Sequence, residues 1–525
     1  MNRSAGPTHD GNMKLSHSPL FEPVLWEGRG FKILDETLLP ERIDYLAIDQ
    51  VSQAIDAVKD MKTRAFGQVL TFLYSGALLA QQIQNSDPGH LRDQLVQMTQ
   101  QFSAVRPTFD FSGLGGFFSK WVVDLPAGAG AGERVAEQAR GLAAQIIKAR
   151  LARAQRAASL LPDHARVLTH CNVSGELVAV AQLCRAIGKE ISFIATETRP
   201  YLQGARLTAW ELAQAGIPVS LIPDCGVAQV MAGGGVNAVV VGSDRCAQNG
   251  DVINKVGTYP LALMAKAYGV PFHVLVQEPG HLVRGDDVTI EERPAAELLE
   301  FQGRPLVSGG AENLAGRYPA FDVTPASLIT SLIGFDDLFT PESFRERYLK
   351  TPSAATRNGK QRPSAQYLLI YGVPNKQNYA FLAHALKAEQ AQSVLVPEMR
   401  PQLWGARVVA RELLDRKTPT TLISDNMMGS LFAQGEIRKL CLFYEAVNEQ
   451  GPRGICGSLL AVRLARHHGV PIELLASESP EGAGADRDVS TFLGQKICPA
   501  GVSVHPIDSE DLPWAIFKEV GGASS

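Results

Sequence analysis

Residues 165–196 read ARVLTHCNVSGELVAVAQLCRAIGKEISFIAT. A short apolar run leads through a Cys/Gly loop into a segment of helical length, and a second apolar run follows. The same alternation continues downstream, where PVSLI, AVVVGSD and PFHVLV are separated by helical segments such as GTYPLALMAKAYG. Continuous apolar strands alternating with helices predict a parallel sheet covered on both faces. Ligands of such sheets bind beyond the C-terminal ends of the strands.

Upstream, residues 41 to about 160 read as mostly helical. ERIDYLAIDQVSQAIDAVKDMKTRAFGQVLTFLYSGALLAQQI and GERVAEQARGLAAQIIKARLARAQRAASLL both space apolar residues for one helix face. Between them, RPTFDFSGLGGFFSKWVVDLPAGAGAG is Gly-rich and reads as loop. The first residues, MNRSAGPTHDGNMKLSHSP, lack the apolar centre of a signal peptide and read as a flexible tail.

Downstream, KTPSAATRNGKQRPSAQ (350–366) reads as a linker. Strand–helix alternation then resumes with YLLIYG, SVLVPE, TTLISD, LCLFYE and PIELLA. This stretch repeats the first. At an offset of 201 residues, ETRPYLQGARLTAWELAQAGIPVSLIPD (197–224) lies on EMRPQLWGARVVARELLDRKTPTTLISD (398–425), with 14 of 28 positions identical. The expected fold is therefore α/β: an N-terminal helical domain followed by two Rossmann-like parallel-sheet domains related by internal duplication. The expected boundaries are a tail at 1–25, the helical domain at 26–160, the first sheet domain at 161–345, a linker at 346–366 and the second sheet domain at 367–525.

The chain has 525 residues, enough for two to four domains at about 150 residues each. Lys plus Arg number 50 and Asp plus Glu 54, a net charge of −4. That balance excludes a strongly basic nucleic-acid binder and an acidic disordered chain. Seven cysteines contain no Cys-x-x-Cys pair, which argues against a zinc site and a disulfide framework, and for a reducing, cytoplasmic compartment. No apolar run approaches 18 residues, so no membrane span is expected.

Four places carry candidate chemistry. Cys171, in THCNVSG, precedes a helix whose dipole would lower its thiol pKa. Glu197, Arg199, Gly204 and Arg206 recur in the second copy as Glu398, Arg400, Gly405 and Arg407, so this frame reads as architecture. Gln203 becomes Trp404 there, which makes it the better functional candidate, and Tyr201 becomes Gln402. Asp244 ends a strand, and Asp251, Asn254 and Lys255 follow; a carboxylate, an amide and an ammonium suit a polyol phosphate, or equally N-caps and loop solvation. Arg64 and Arg106, taken alone, read as surface residues. At the 201-residue offset Cys171 falls on Gly372 and Asp244 on Glu445, so the second copy lacks these reactive groups.

Residues 26 to about 335 resemble the methylthioribose-1-phosphate isomerases of methionine salvage, which group with the regulatory alpha, beta and delta subunits of initiation factor 2B. The resemblance rests on LDETLLPERIDYL, THCNVSG, ETRPYLQGARLTAWEL, GSDRCAQNGDVINKVGT, IEERPAAEL and YPAFDVTPASLI. It implies that Cys171 and Asp244 are the catalytic pair, and that Gln203, Asn254, Lys255 and Arg106 contact substrate. The exchange-factor branch lacks the cysteine and usually has Glu for Asp, so the first copy resembles the enzymes and the second the non-catalytic branch. The isomerases' Arg-Gly-Ala-Pro motif reads here Arg64-Ala65-Phe66-Gly67; the arginine is retained, as a substrate contact, and Phe66 adds bulk where backbone would approach an anion.

The implied activity is aldose–ketose isomerisation of a pentose 1-phosphate, first of all 5-methylthioribose 1-phosphate, with no metal or other cofactor. The alternatives are 5-deoxyribose 1-phosphate or ribose 1,5-bisphosphate as substrate, or a non-catalytic regulatory binding subunit. The expected partner is a small sugar phosphate, with neither nucleic acid nor membrane. Family members pair through their sheet domains, which implies a homodimer or, through the second copy, an internal pseudo-dimer.

Overall fold

The computed structural model describes residues 18–83, 87–107, 109–123, 130–307, 314–349, 365–477, 486, 488–507 and 509–518. Most of the expected linker at 346–366 and most of the expected tail lie outside them. Residues 18–25, read as tail, are packed: Leu20 and Phe21 are buried, and Ser18 donates to Glu211 at 2.6 Å.

The helical part holds α1 (Val51–Lys59), α2 (Phe66–Gln82), α3 (Pro88–Val105), α4 (Phe111–Val123) and α5 (Ala131–Leu160). Two readings of this region are corrected. Tyr45–Ile48 is a strand rather than the start of a helix; it pairs antiparallel with Gly30–Leu34, which pairs with Val24–Glu27. The YLAI run has no helical stripe of its own and fills the edge offered by its neighbour. The Gly-rich piece read as loop contains α4. Phe111, Gly115, Phe118 and Val122 recur at helical spacing and are buried, and Gly115 admits Thr99, which a Cβ there would meet at 2.6 Å.

Two parallel sheets follow. In the first, the strands run Ser331–Ile333, Phe272–Leu275, Ala238–Val241, Arg166–Thr169, Ser192–Thr196 and Val219–Ile222, parallel to one another, with Leu338–Phe339 antiparallel at the Ser331–Ile333 edge. The second runs Ile472–Ala476, Ile437–Tyr444, Tyr367–Tyr371, Ser393–Pro397 and Thr420–Ile423, also parallel. Each is doubly wound, with its order reversing beside its first strand. The central strands are rich in Val, Ile and Leu and mostly buried, as a sheet covered on both faces requires, while the edge strand Ile472–Ala476 of the second sheet is only partly covered.

The two sheets share one continuous hydrophobic core. They also exchange edge strands. Ser503–Val504, from the C-terminal segment, pairs parallel with Val219–Ile222 of the first sheet. Ala315–Gly316 pairs parallel with Thr420–Ile423 of the second. At the junction, buried Arg199 binds Glu398 (Nε to Oε1, 2.9 Å), and buried Arg400 binds Glu197 (Nη2 to Oε2, 2.8 Å). The frame shared by both halves of the sequence is thus a pair of reciprocal ion pairs between them.

The helical part is fastened to the first sheet by α5. Arg150 and Arg153 are buried and both bind Glu176, at 2.7 and 2.5 Å. Arg150 also donates to the carbonyls of Phe21 and Ser174, so the clamp closes on the loop that carries Cys171.

Candidate active site

Cys171 follows the Arg166–Thr169 strand, and Asp244 follows the adjacent Ala238–Val241 strand. The sheet reverses its winding between these two strands, which opens a crevice at their C-terminal ends. Lys255 ends the strand Val252–Lys255 and acts electrostatically on both Cys171 and Asp244. Arg64, just before α2, acts on Cys171 and Lys255, and Arg106, the C-cap of α3, acts on Asp244. The fold therefore brings five of the seven candidate residues into one electrostatic cluster.

Cys171 has φ +64°, a left-handed conformation that a side chain resists. Gly372, its counterpart at the 201-residue offset, has φ +90°. The turn thus needs a left-handed residue, and glycine would satisfy it without strain. The Cys171 backbone is held by its N–H to Thr198 Oγ1 (2.9 Å) and by the Thr208 hydroxyl donating to its carbonyl (2.6 Å).

The expectation of a lowered thiol pKa is corrected. Burial pushes Cys171 up to about 11, with Lys255 and Arg64 opposing and Asp244 adding to the rise. The next helix starts at Glu176, behind Gly175, and burial outweighs whatever lowers the thiol. Asp244 is also raised, by desolvation among its neighbours, with Lys255 and Arg106 opposing, although the residue itself is exposed. Burial lowers Lys255, against the pull of Cys171 and Asp244.

Two of the seven candidate residues carry a buried polar atom with no protein partner among the described residues. They are Nε of Arg106 and Oε1 of Gln203. An unpaired buried donor beside a cationic cluster and an unpaired acceptor are what a bound oxyanion and a hydroxyl would satisfy. Asn254 behaves differently: its amide donates to the Thr258 hydroxyl (3.0 Å), which donates to the Lys255 carbonyl (2.7 Å).

The Arg64–Gly67 segment keeps a glycine-like turn without its glycine. Ala65 has φ +41° and ψ −111°. The backbone N–H of Arg64 donates to buried Glu36 at 2.9 Å. Phe66 lays its ring on the Arg150 guanidinium, 3.8 Å from the ring centre. Its bulk is therefore taken up beneath the loop, in contact with the clamp.

The residue-by-residue reading passed over several participants. Tyr201 has Arg64 at 5.9 Å and Lys255 at 5.8 Å from its ring centre, and its hydroxyl binds Glu297 and Arg293. Its replacement by Gln402 in the second half was a visible signal. Asp322 accepts the N–H groups of Gly257 (2.7 Å) and Tyr259 (3.1 Å) and so fixes the turn after Lys255. His170 binds the Val256 carbonyl through Nε2 at 2.9 Å. The last two lie within THCNVSG and YPAFDVTPASLI, motifs that carry the resemblance, but their residue types alone suggest no role.

A helix-capped, doubly wound sheet with thiol, carboxylate and cations at its switch point defines an α/β protein with a ligand crevice of known type. The chain belongs to the initiation factor 2 subunit family, whose model matches residues 68–334 and 353–478. It is 38% identical to a methylthioribose-1-phosphate isomerase of Desulforudis audaxviator, over 59% of this chain and 92% of that protein. A protein of the same name from Thioalkalivibrio sulfidiphilus is 37% identical, over 59% and 91%. Among solved structures, a 5-methylthioribose 1-phosphate isomerase of Pyrococcus horikoshii matches with a TM-score of 0.56 and 28% identity, over 64% of this chain and 98% of that one. The translation initiation factor eIF-2B delta subunit of A. fulgidus matches with a TM-score of 0.55 and 31% identity, over 63% and 99%. These matches do not establish the internal duplication or the degenerate second copy read from the 201-residue offset. No helix of the described residues is long and apolar enough to cross a membrane.

Proposed function

We propose that the chain is an aldose–ketose isomerase that converts 5-methylthioribose 1-phosphate to 5-methylthioribulose 1-phosphate, a step of methionine salvage. One observation carries the reading: a thiol and a carboxylate share a crevice with three cations, one of which has a buried N–H without a partner among the described residues.

The anomeric carbon of this substrate is locked as a phosphate acetal, so the ring opens with phosphate still on C1. Overall, the ring oxygen gains a proton, the C2 hydroxyl loses one, and one hydrogen moves from C2 to C1. Asp244, raised but solvent-reachable, exchanges protons with the two oxygens. Cys171 stands at C1 and C2. A thiol held up to about 11 keeps its proton at neutral pH and is a poor base, which favours a direct hydride shift beside a neutral sulfur over proton abstraction by thiolate. Arg64, Arg106 and Lys255 hold phosphate, and Gln203 takes a sugar hydroxyl. Asn254 supports the Lys255 turn through Thr258.

The test is turnover of substrate deuterated at C2. Deuterium retained at C1 of the ketose is expected, and washout into solvent would replace the hydride shift with proton transfer. Cys171→Ser and Asp244→Asn should each abolish turnover. A folded wild-type chain that turns over neither this sugar, 5-deoxyribose 1-phosphate nor ribose 1,5-bisphosphate would overturn the isomerase reading.

We propose further that the second sheet takes the place of a partner subunit, so that the chain is an internal pseudo-dimer rather than half of a homodimer. The reciprocal ion pairs and the exchanged edge strands support this. Sedimentation should give the mass of one chain. All seven cysteines are free thiols, which suits the cytoplasm.

A further inference from the structure

We infer that Asn426, from the second sheet unit, is a positioning residue for the crevice of the first. It rests on the isomerase reading only for its kinetic arm. Asn426 is buried in the turn after the strand Thr420–Ile423. Its amide nitrogen donates to two carbonyls of the first unit, Arg199 O at 2.9 Å and Val256 O at 3.2 Å. Its own oxygen is fixed by the Ser424 hydroxyl at 2.6 Å, which sets which end of the amide faces across the junction.

Both carbonyls belong to segments that carry crevice residues. Val256 directly follows Lys255, and Arg199 opens the turn that carries Tyr201 and Gln203. The Val256 carbonyl is held from two sides, by Asn426 of the second unit and by His170 of the first. Gly257 has φ +107°, and a Cβ there would meet the His170 ring at 2.7 Å and Asn426 Cβ at 2.9 Å. The turn after Lys255 is therefore gripped between the units with no room to shift.

On the opposite side of the junction the counterpart turn is packed alike, with Gly457 against Tyr371 and Cys225 and the Cys456 carbonyl taking the Tyr371 hydroxyl at 2.9 Å, but among the described residues no amide crosses to it. The position 201 residues before Asn426 is Cys225, whose thiol reaches, among the described residues, the Arg400 carbonyl (3.5 Å) and Cys456 Sγ (3.5 Å). The amide donor faces the crevice that holds Cys171, Asp244 and Lys255. The weaker thiol faces the crevice that holds Gly372 and Glu445. In this arrangement the second unit completes the first site and needs no site of its own.

The test uses the full chain with Asn426→Ala and Asn426→Cys. The cysteine variant copies what the fold already accommodates at Cys225. The first readout is alkylation of Cys171 by iodoacetamide at fixed alkaline pH, followed on the Cys171 peptide by mass spectrometry. Cys171 is the one cysteine of the seven that is partly exposed; the other six are buried. With Lys255 loosened, its ammonium stabilises the thiolate less, and alkylation should slow several-fold in both variants. The second readout is turnover per folded molecule, where kcat should fall about tenfold or more with KM changed less, as for a misplaced catalytic group. Glu445→Ala, in the second unit's own crevice, should leave both readouts as in wild type. Wild-type alkylation in the Asn426 variants, with activity lost only in proportion to unfolded protein, would overturn the inference. An inactive wild type would sink the isomerase reading and leave the alkylation arm to decide this one.

Discussion

Cys171 and Ala65 occupy backbone conformations that suit glycine, at φ +64° and +41°. A side chain there strains the backbone by about 1–3 kcal/mol each. The two strains have different reasons. Cys171 supplies the thiol of the crevice, whereas nothing in the structure explains the methyl group of Ala65. Cys171→Gly should abolish turnover and raise stability by about 1 kcal/mol, while Cys171→Ser should abolish turnover with no such gain. Urea denaturation of both variants checks this, and a destabilised glycine variant would mean that the turn is not strained. Ala65→Gly should stabilise the chain by a similar amount and keep turnover. At this scale much of the site was legible. Cys171 and Asp244 each follow an apolar run, where a parallel sheet collects its ligand groups, whereas Lys255, read only as following Asp244, ends a strand of a separate antiparallel sheet. Their protonation was not legible. The thiol pKa is set by burial in the folded crevice, which a chain position beside a helix does not reveal.

At the scale of elements, the turn between the strand Val252–Lys255 and the helix Thr258–Ala267 holds Lys255 in place, and Asp322 ties that turn down. Burial raises Asp322 from 3.8 to about 8. In the unfolded chain the same carboxyl ionises near 3.8. Between about pH 4 and 8 the folded state therefore binds more protons than the unfolded one, and this group's contribution to stability falls as pH rises. Asp322→Asn should flatten the decline of stability across that window, measured by denaturation at several pH values. An unchanged slope would show that Asp322 ionises normally behind its two N–H donors. The parallel-sheet elements were legible because their apolar runs are continuous and β-branched. The helical part was less so. Tyr45–Ile48 is a strand because a sheet edge receives it, and α4 is a helix because Phe72, Phe102 and Phe118 pack around Phe111 and its neighbours. Tertiary packing decided both cases against local composition.

At the scale of the whole molecule, the junction between the sheet units rests on two buried charge pairs that the sequence displayed without explaining. The recurrence of Glu197 and Arg199 as Glu398 and Arg400 read as architecture, yet no spacing could show that each arginine crosses to the other half's glutamate. The exchanged strands Ser503–Val504 and Ala315–Gly316 were equally hidden, since two-residue strands carry no periodicity. The Arg199–Glu398 pair is suited to a double-mutant cycle, because both side chains are at most 1% exposed. Removing one partner leaves an unpaired buried charge and costs about 3–5 kcal/mol, whereas replacing both with apolar groups of similar volume is often close to neutral. Arg199→Met alone and Glu398→Leu alone should each destabilise the chain strongly, and the double variant should recover most of the loss. If the double variant instead equals the sum of the singles, the two charges act independently. The junction would then be held by its shared apolar core and exchanged strands alone. Recovery would show that the ion pairs specify how the two units dock, and this docking sets the Asn426 grip on the turn after Lys255.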